Sequence, residues 1–156
     1  MSSVKTDIFW QRFLAETGRD GATMYVDCYH FCATEELANK LLALVLNGQK
    51  RATSAAVAAY EAEGEPLPRV GNLSIVTDWN GNPGCVIETT AVTLIPYNEM
   101  TFEICKREGE DDTLESWQAG HRTFFTEDAS ALGYEFTEDM LLVFEDFRVV
   151  YEAEDA

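Results

Sequence analysis

The chain has 156 residues, 46% of them apolar, which is enough for one domain with a substantial core. Asp and Glu number 28 against 11 Lys and Arg, and the formal net charge of -17 repels DNA, long RNA and anionic membranes. No apolar run approaches the roughly 18 residues of a membrane-spanning helix, and the first residues lack the apolar core of a signal peptide. We therefore expect a cytoplasmic protein that binds neither membrane nor DNA.

The first segment with a clear pattern is helical. Residues 7–17 carry an apolar stripe at helical spacing, with Asp7 as a candidate N-cap and Gly18 as the stop. Residues 18–31 show no regular period, so we expect an irregular connection there.

A second helix is predicted over residues 35–47, where leucines repeat at helical spacing. Thr34 can cap its start, and Gly48 is a typical helix stop. The alanine-rich residues 54–64 indicate a short third helix, and residues 65–72 a loop.

The remaining chain changes period. Its β-branched and aromatic residues predict strands, and the Asn80-Gly81 dipeptide between the first two predicts a hairpin. A helical insertion, capped by Asp112 or Thr113, separates the second and third strands. The three predicted strands cover residues 73–79, 84–97 and 140–152. The chain is therefore of the α+β class, with a mostly antiparallel sheet.

Cysteine and histidine residues suggest no metal site. Cys28, His30 and Cys32 form a Cys-x-His-x-Cys pattern, but His121 is the only other histidine, so the second half of a zinc site is missing. We expect reduced cysteines with packing roles, and neither a metal nor another cofactor.

Basic residues are few, and two adjacent pairs contain four of the eleven. Lys50-Arg51 follows the second helix, and Lys106-Arg107 precedes residues 108–115, which contain five acids. One interpretation is a solvated turn whose opposite charges satisfy each other, and such surface pairs contribute little to stability.

The other interpretation is a reactive site. Lys50 and Thr53 are three residues apart, so on a turn or a first helical turn they project to similar sides. A lysine beside a hydroxyl can activate a nucleophilic oxygen, and a carboxylate such as Glu108 or Glu110 can hold the lysine or move a proton. No Ser-His-Asp pattern, P-loop or H-E-x-x-H motif is present.

Four segments together resemble one family. The stretches "ELANKLLALVLNGQKRAT", "EPLPRVGNLSIVTDWNGNPGCVIETTAV", "EGEDDTLESWQAGHRTFF" and "LLVFEDFRVVY" are similar, in this order, to ASCH-domain proteins of the longer bacterial branch. The resemblance covers roughly residues 29–151, and residues 1–28 form an N-terminal helix and loop extension to this single domain. It implies a small PUA-like β-barrel of five or six mostly antiparallel strands decorated with helices.

The resemblance also implies a site. The family's Gly-x-Lys-x-x-Thr motif corresponds here to Gly48, Lys50 and Thr53. Some short members are amidohydrolases that act on 4-acetylcytidine with a lysine, a threonine and a glutamate. By this resemblance Lys50, Thr53 and Glu110 are the candidate catalytic residues, although the alignment also permits Glu108.

Further residues are candidates for substrate binding. By the same resemblance they are Gly48, Arg51, Tyr29 and Glu108. The expected partner is a small nucleoside-like ligand or single-stranded RNA.

Two other functions are compatible with the resemblance. One longer relative cleaves single-stranded RNA, and other members are presumed RNA-binding modules without enzymatic activity. Here "EGEDDTLE" replaces the longer members' usual "EGEGDRSLE", and residues 144–147 replace their "CERF". Both changes remove positive charge or add negative charge, which disfavours RNA and leaves a small substrate acceptable.

Overall fold

The computed structural model describes residues 3–154, which fold into a mixed five-stranded sheet with helices packed on both faces. The strands are β1 (Asp27–Tyr29), β2 (Ala52–Ala56), β3 (Leu73–Thr77), β4 (Pro83–Pro96) and β5 (Leu141–Glu152). The helices are α1 (Val4–Thr17), α2 (Glu35–Leu46), α3 (Val57–Glu63), α4 (Phe102–Cys105) and α5 (Leu114–Leu132). Short 3-10 turns cover Tyr97–Glu99 and Lys106–Glu108.

The strand order is β1-β3-β4-β5-β2. Only β1 and β3 pair in parallel, and the other three pairs are antiparallel. Register shifts within β4 mark bulges, which increase the local twist and bend of the long strands. The predicted α+β class and five mostly antiparallel strands are confirmed, as a half-barrel between the edges β1 and β2.

The helix ends are set by local capping residues, and one predicted cap is wrong. The Thr34 hydroxyl accepts from the Leu37 amide at the start of α2, and Gly48 has a φ of 85° just beyond its end, as predicted. The prediction of Asp7 as the cap of α1 is wrong. Ser3 caps this helix, and Asp7 lies in its first turn, where a negative charge favours the helix dipole.

The predicted helix over residues 54–64 is half wrong. Ala52–Ala56 forms β2, and the helix begins only at Val57. Five consecutive residues of β2 pair with β5, and these long-range hydrogen bonds override the helical preference of alanine. Thr53 therefore lies on a strand, and the expected helical turn carrying Lys50 and Thr53 does not form.

The sheet contains a second strand that was not predicted, in addition to β2. Asp27–Tyr29, inside the expected irregular connection, pairs in parallel with β3. The other strands and the Asn80-Gly81 hairpin are confirmed, and Thr113 rather than Asp112 caps α5.

Three apolar clusters hold these layers together. One lies between α5 and one face of β2 and β5, around Trp117 and Phe144. A second joins α2 to the opposite face of the sheet, and a third places α1 against β3 and β4. The segment between α2 and β2 lies where the first two clusters meet, since Lys50 contacts residues from both. None of the helices in residues 3–154 has the length and apolarity needed to cross a lipid bilayer.

Candidate active site

Backbone hydrogen bonds hold the segment that carries Lys50. The Lys50 amide donates to Leu44 O at 3.0 Å, which closes the turn through Gly48. The Arg51 amide donates to Arg107 O at 2.9 Å, and Arg51 O accepts from the Phe147 amide at 3.0 Å. Lys50 is therefore fixed between β5 and residues 108–113, which we call the acidic loop.

A glycine allows the acidic loop to approach this segment closely. Gly109 has a φ of 73°, and a Cβ at this position would lie 2.3 Å from Gln49 O. The Gln49 side chain in turn donates from Nε2 to Gly109 O at 2.7 Å. The close approach brings Glu108 and Glu110, on either side of Gly109, to the Lys50 side chain.

Lys50 points into the protein. The residue is 2% exposed, and its ammonium donates to Ala52 O at 2.8 Å and to Glu110 Oε2 at 2.6 Å. Glu108 Oε1 lies 4.0 Å away, and the Phe31 ring centroid 5.0 Å away. A buried ammonium needs such partners, because an unpaired charge inside a protein is strongly destabilising.

The two glutamates differ in what they can reach. The Glu110 side chain is 24% exposed, whereas that of Glu108 is 3% exposed. A carboxylate that exchanges a proton with a substrate must be accessible to it. Of the two alternatives, Glu110 therefore has the geometry of a reacting group, and Glu108 lies beneath it.

Glu108 is enclosed by hydrogen-bond donors. Its Oε2 accepts from Ser54 Oγ at 3.0 Å and from Trp117 Nε1 at 2.8 Å, and its Oε1 lies 3.2 Å from His121 Nε2. These contacts, chiefly that of His121, lower the pKa of Glu108 below its ordinary value although burial acts in the opposite direction. Direct binding of substrate by Glu108 has no support from this enclosed position.

Sequence reasoning did not assign roles to the donors around Glu108. Trp117 and His121 are four residues apart on α5, so both reach the same side of the helix, and their rings stack at 4.2 Å. Trp117 is fully buried, so it does not offer a face to a ligand. The four-residue spacing was the available signal. Ser54 gave none, because its strand was taken for a helix.

Thr53 faces a different acid. In the β2–β5 ladder it is paired with Glu145, so the two side chains project from the same face of the sheet. Within residues 3–154 the Thr53 hydroxyl makes no hydrogen bond, and Lys50 donates to Ala52 O and Glu110 instead of to Thr53. The Thr53 hydroxyl is partly exposed and available to a ligand.

Beyond Thr53, the surface is acidic and aromatic. Glu145 Oε2 accepts from Thr89 Oγ1 at 2.5 Å, and burial raises the pKa of Glu145. Burial, with the nearby charge of Glu145, raises the pKa of Tyr29 well above 10 and that of Tyr60 to about 12. Tyr29, a predicted substrate-binding residue, thus lies beside Glu145 with a neutral hydroxyl at physiological pH.

The remaining predicted substrate-binding residues lie at the rims of two separate cavities. Gly48 and Arg51 are exposed, and together with Lys50 they line a cavity of about 390 Å³. Tyr29 lines another cavity of about 550 Å³ near the start of α1. Neither lining includes Thr53 or Glu110, so these cavities do not join the predicted binding residues to the candidate reacting groups.

The Cys-x-His-x-Cys pattern does not form a metal centre in the described part of the chain. No group of three or more His, Cys, Asp or Glu side chains suited to a metal occurs among residues 3–154. Cys32 instead lies near the Lys50–Glu110 pair, and burial raises the pKa of its thiol. Its φ of 59° is unusual for a residue other than glycine.

Comparison with known proteins agrees with this fold. The ASCH domain family matches residues 27–151. The ASCH domain structure from Lactobacillus crispatus JV V101 is 40% identical, with a TM-score of 0.87 and coverage of 96% of each chain. Protein EF3133 from Enterococcus faecalis V583 is 34% identical, with a TM-score of 0.88, covering 95% of this chain and 89% of that one. No curated protein matched the chain.

Proposed function

Because the chain belongs to the ASCH domain family, we propose that it is an amidohydrolase that removes the acyl group from a small acylated nucleoside such as 4-acetylcytidine. The observation that carries this proposal is the 2.6 Å contact between Lys50 Nζ and Glu110 Oε2. The contact joins two residues sixty positions apart. Thr53 follows Lys50 by three residues, and its hydroxyl has no intramolecular hydrogen bond among residues 3–154.

In the proposed reaction Thr53 is the nucleophile. Its Oγ attacks the acyl carbon while the Glu110 carboxylate takes up the hydroxyl proton. Collapse of the tetrahedral intermediate breaks the C–N bond, and Glu110 returns the proton to the departing amine. Water then hydrolyses the acyl-threonine ester, which releases the carboxylic acid and restores Thr53.

Lys50 supplies positive charge in this scheme. Its ammonium orients Glu110 by direct hydrogen bonding, and its positive charge acts through space, without contact, on the negative charge that develops on the acyl oxygen. The surrounding burial strengthens this effect, because charges interact more strongly where water is excluded.

Local charges give less support to cleavage or binding of RNA. The basic residues near the site are largely engaged: Arg107 Nε lies 2.8 Å from Asp146 Oδ1, and Arg148 contacts Glu88 at 2.7 Å. Arg51 is the one arginine at the rim without an ion pair in residues 3–154. Binding to RNA requires the neutralisation of several phosphates, whereas a nucleoside carries none.

The test is hydrolysis of 4-acetylcytidine by the purified chain, followed as release of cytidine in liquid chromatography. Thr53→Ala and Glu110→Gln should each reduce kcat/KM by at least about 100-fold, since each removes a reacting group. The exposed Thr93→Ala and Glu115→Gln are the matched controls and should retain activity. A wild-type chain inactive on every acylated nucleoside tried rejects the hydrolase, and an active Thr53→Ala rejects the covalent route.

A further inference from the structure

His121 is placed to carry a positive charge. Its Nδ1 lies 2.9 Å from Trp117 O and its Nε2 lies 3.2 Å from Glu108 Oε1. A carbonyl and a carboxylate oxygen are both acceptors, and a neutral imidazole has only one N–H to donate. Both contacts are hydrogen bonds only in the imidazolium form.

The charges around the site balance when His121 is protonated. Lys50 and the imidazolium then oppose Glu108 and Glu110, and the buried cluster is neutral. Without the proton on His121, the cluster has one excess negative charge next to Lys50. Charge neutrality in a buried cluster is strongly favoured, because an uncompensated charge loses its hydration.

Other groups near the pair do not supply the missing charge. Ser54 and Trp117 are neutral donors to Glu108, and the Cys105 thiol has its pKa raised to about 11, so it stays protonated. Asp111, near Cys105, adds negative charge. Burial lowers the pKa of His121, but the hydrogen bond and charge of Glu108, the Trp117 carbonyl and the charge of Glu110 together outweigh burial and raise it.

We propose that Glu108 and His121 form a buried positioning pair beneath the site, and that the positive charge of His121 keeps the Lys50 ammonium on Glu110. Protonated His121 neutralises Glu108, so Glu110 is the nearest uncompensated acceptor for Lys50. After deprotonation, Glu108 competes for the ammonium from 4.0 Å away and weakens the contact with Glu110.

The pair is a positioning device and not a set of reacting groups. Glu108 is 2% exposed and the His121 side chain 16% exposed, and both act on the site through Lys50, so neither residue needs to touch a ligand. The effect of the pair on catalysis rests on the proposed hydrolase function. The effect of the His121 charge on the position of Lys50 does not, so the two effects can be measured separately.

The dependence of Lys50 on the protonation of His121 is measured by NMR titration of the full chain without substrate. The chain has two histidines, so His30→Gln assigns the His121 ring signals directly. We expect His121 to titrate above its ordinary value of 6.5 in the wild type, and the Lys50 side-chain 13Cε signal to show an inflection at the same pH. In His121→Gln, which keeps a donor but not the charge, the Lys50 inflection should vanish.

Two results would overturn the proposal: a His121 that titrates at or below 6.5, or a Lys50 signal that does not respond to His121. Glu108→Gln should lower the His121 pKa toward 6.5. If Glu108→Gln fails to fold, comparison of the wild type with His121→Gln still tests the proposal. His30→Gln is the matched control, because His30 contacts the Trp79 ring and should leave the Lys50 response unchanged.

A second experiment measures how kcat/KM depends on pH. If the chain hydrolyses 4-acetylcytidine, kcat/KM should fall as the pH rises through the His121 pKa, by up to about 100-fold for a displaced reacting group. His121→Gln should lack this alkaline decline, and a decline that persists in the variant contradicts the positioning role. If no hydrolysis occurs, the proposed function fails while the NMR titration still decides the coupling.

Discussion

Thr53 of β2 and Glu145 of β5 are directly opposed in the antiparallel ladder, with both side chains on the same face of the sheet. Thr89, on the far side of β5, donates to Glu145 Oε2 at 2.5 Å. The candidate nucleophile therefore lies opposite a buried carboxyl with a raised pKa. Lys50, which precedes it by three residues, is paired with Glu110 instead.

Glu145→Gln should stabilise the protein at neutral pH. Burial raises the folded-state pKa of Glu145 above 4.5, so the wild type loses stability as the pH rises from about 4.5 through the folded value. Glutamine has no charge to bury, and its side-chain carbonyl can still accept from Thr89. Urea unfolding at pH 7 should therefore show a higher free energy of unfolding than the wild type, with a smaller difference at pH 4.

The control for this prediction is Glu127→Gln, an exposed glutamate on α5. It should change stability by less than about 0.5 kcal/mol at either pH. A Glu145→Gln variant that is less stable than the wild type at pH 7 would contradict the assigned direction of the pKa shift.

Gly109→Ala should damage both stability and activity. A methyl group there would overlap Gln49 O and force the acidic loop away from the segment carrying Lys50. We expect a loss of about 2 kcal/mol or more from overlap and left-handed strain, measured by urea unfolding. Displacement of Glu110 from Lys50 should lower kcat/KM by about 100-fold.

Gly64→Ala is the control that measures left-handed backbone strain without the steric overlap expected at Gly109. Gly64 has a φ of 68°, close to the 73° of Gly109, but no atom lies within 4 Å of its Cβ position. It should cost about 1 kcal/mol and leave activity intact. Equal effects of the two substitutions would show that the close approach of the acidic loop is unimportant.

Local patterns predicted much of the fold. The caps at Thr34 and Thr113, the stop at Gly48 and the hairpin at Asn80-Gly81 follow from interactions within a few residues, and all are confirmed. The strand β2 could not be predicted in this way. Its alanines favour helix locally, and its conformation depends on pairing with β5, about ninety residues later.

In the candidate site, too, some features follow from local sequence and others depend on the tertiary fold. Lys50 is a candidate through the family resemblance of its motif, and the same resemblance left Glu110 and Glu108 as alternatives in the acidic run. The roles of Ser54 and His121 depend on three segments meeting at Glu108, and this meeting is a property of the tertiary fold. No spacing in the sequence distinguishes the buried Glu108 from the accessible Glu110.

The Glu108–His121 pair should produce a stability maximum in mildly acidic solution. The lowered pKa of Glu108 gives stabilisation that is present above 4.5 and lost as the pH falls through its folded value. The raised pKa of His121 gives stabilisation that is full below 6.5 and lost as the pH rises through its folded value. The two contributions overlap between about pH 4.5 and 6.5.

His121→Gln tests this window. We expect it to lower the free energy of unfolding by about 1.5 to 3 kcal/mol near pH 5.5, the range for hydrogen bonds to charged groups. The deficit relative to the wild type should shrink once the pH exceeds the folded-state pKa of His121. A deficit that is constant from pH 5 to pH 9 would assign His121 a packing role only.

Binding to single-stranded RNA should be weak. With a net charge of -17, and with Arg107 and Arg148 paired with acids, the chain can neutralise few phosphates. Fluorescence anisotropy with a labelled RNA oligomer at physiological salt should give a dissociation constant weaker than roughly 10⁻⁴ M. Tight binding that falls steeply with added salt would favour the ribonuclease or RNA-binding alternatives.

Substitution of Lys50 distinguishes its chemical role from its structural one. Lys50→Ala leaves Glu108 and Glu110 without their cation and should cost about 3 to 5 kcal/mol, the range for breaking a buried ion pair. Lys106→Ala is the matched control. That lysine is 46% exposed and pairs only with the exposed Glu103, so its removal should cost less than about 0.5 kcal/mol.

Lys50→Arg decides whether the side chain supplies charge or accepts a proton. Arginine keeps the charge but cannot deprotonate, so it abolishes turnover if Lys50 is the base and preserves a measurable share if Lys50 is an electrostatic partner of Glu110. The observed donation to Ala52 O and Glu110 Oε2 favours the second role, and we expect kcat/KM to fall by about 10- to 100-fold rather than to zero. Because Lys50 is 2% exposed, the bulkier guanidinium should also cost about 1 to 3 kcal/mol of stability. Rates are therefore compared at temperatures where unfolding curves show both chains folded. A folded Lys50→Arg variant without detectable turnover, beside an active Lys106→Arg control, would make Lys50 the proton acceptor and Glu110 its orienting partner.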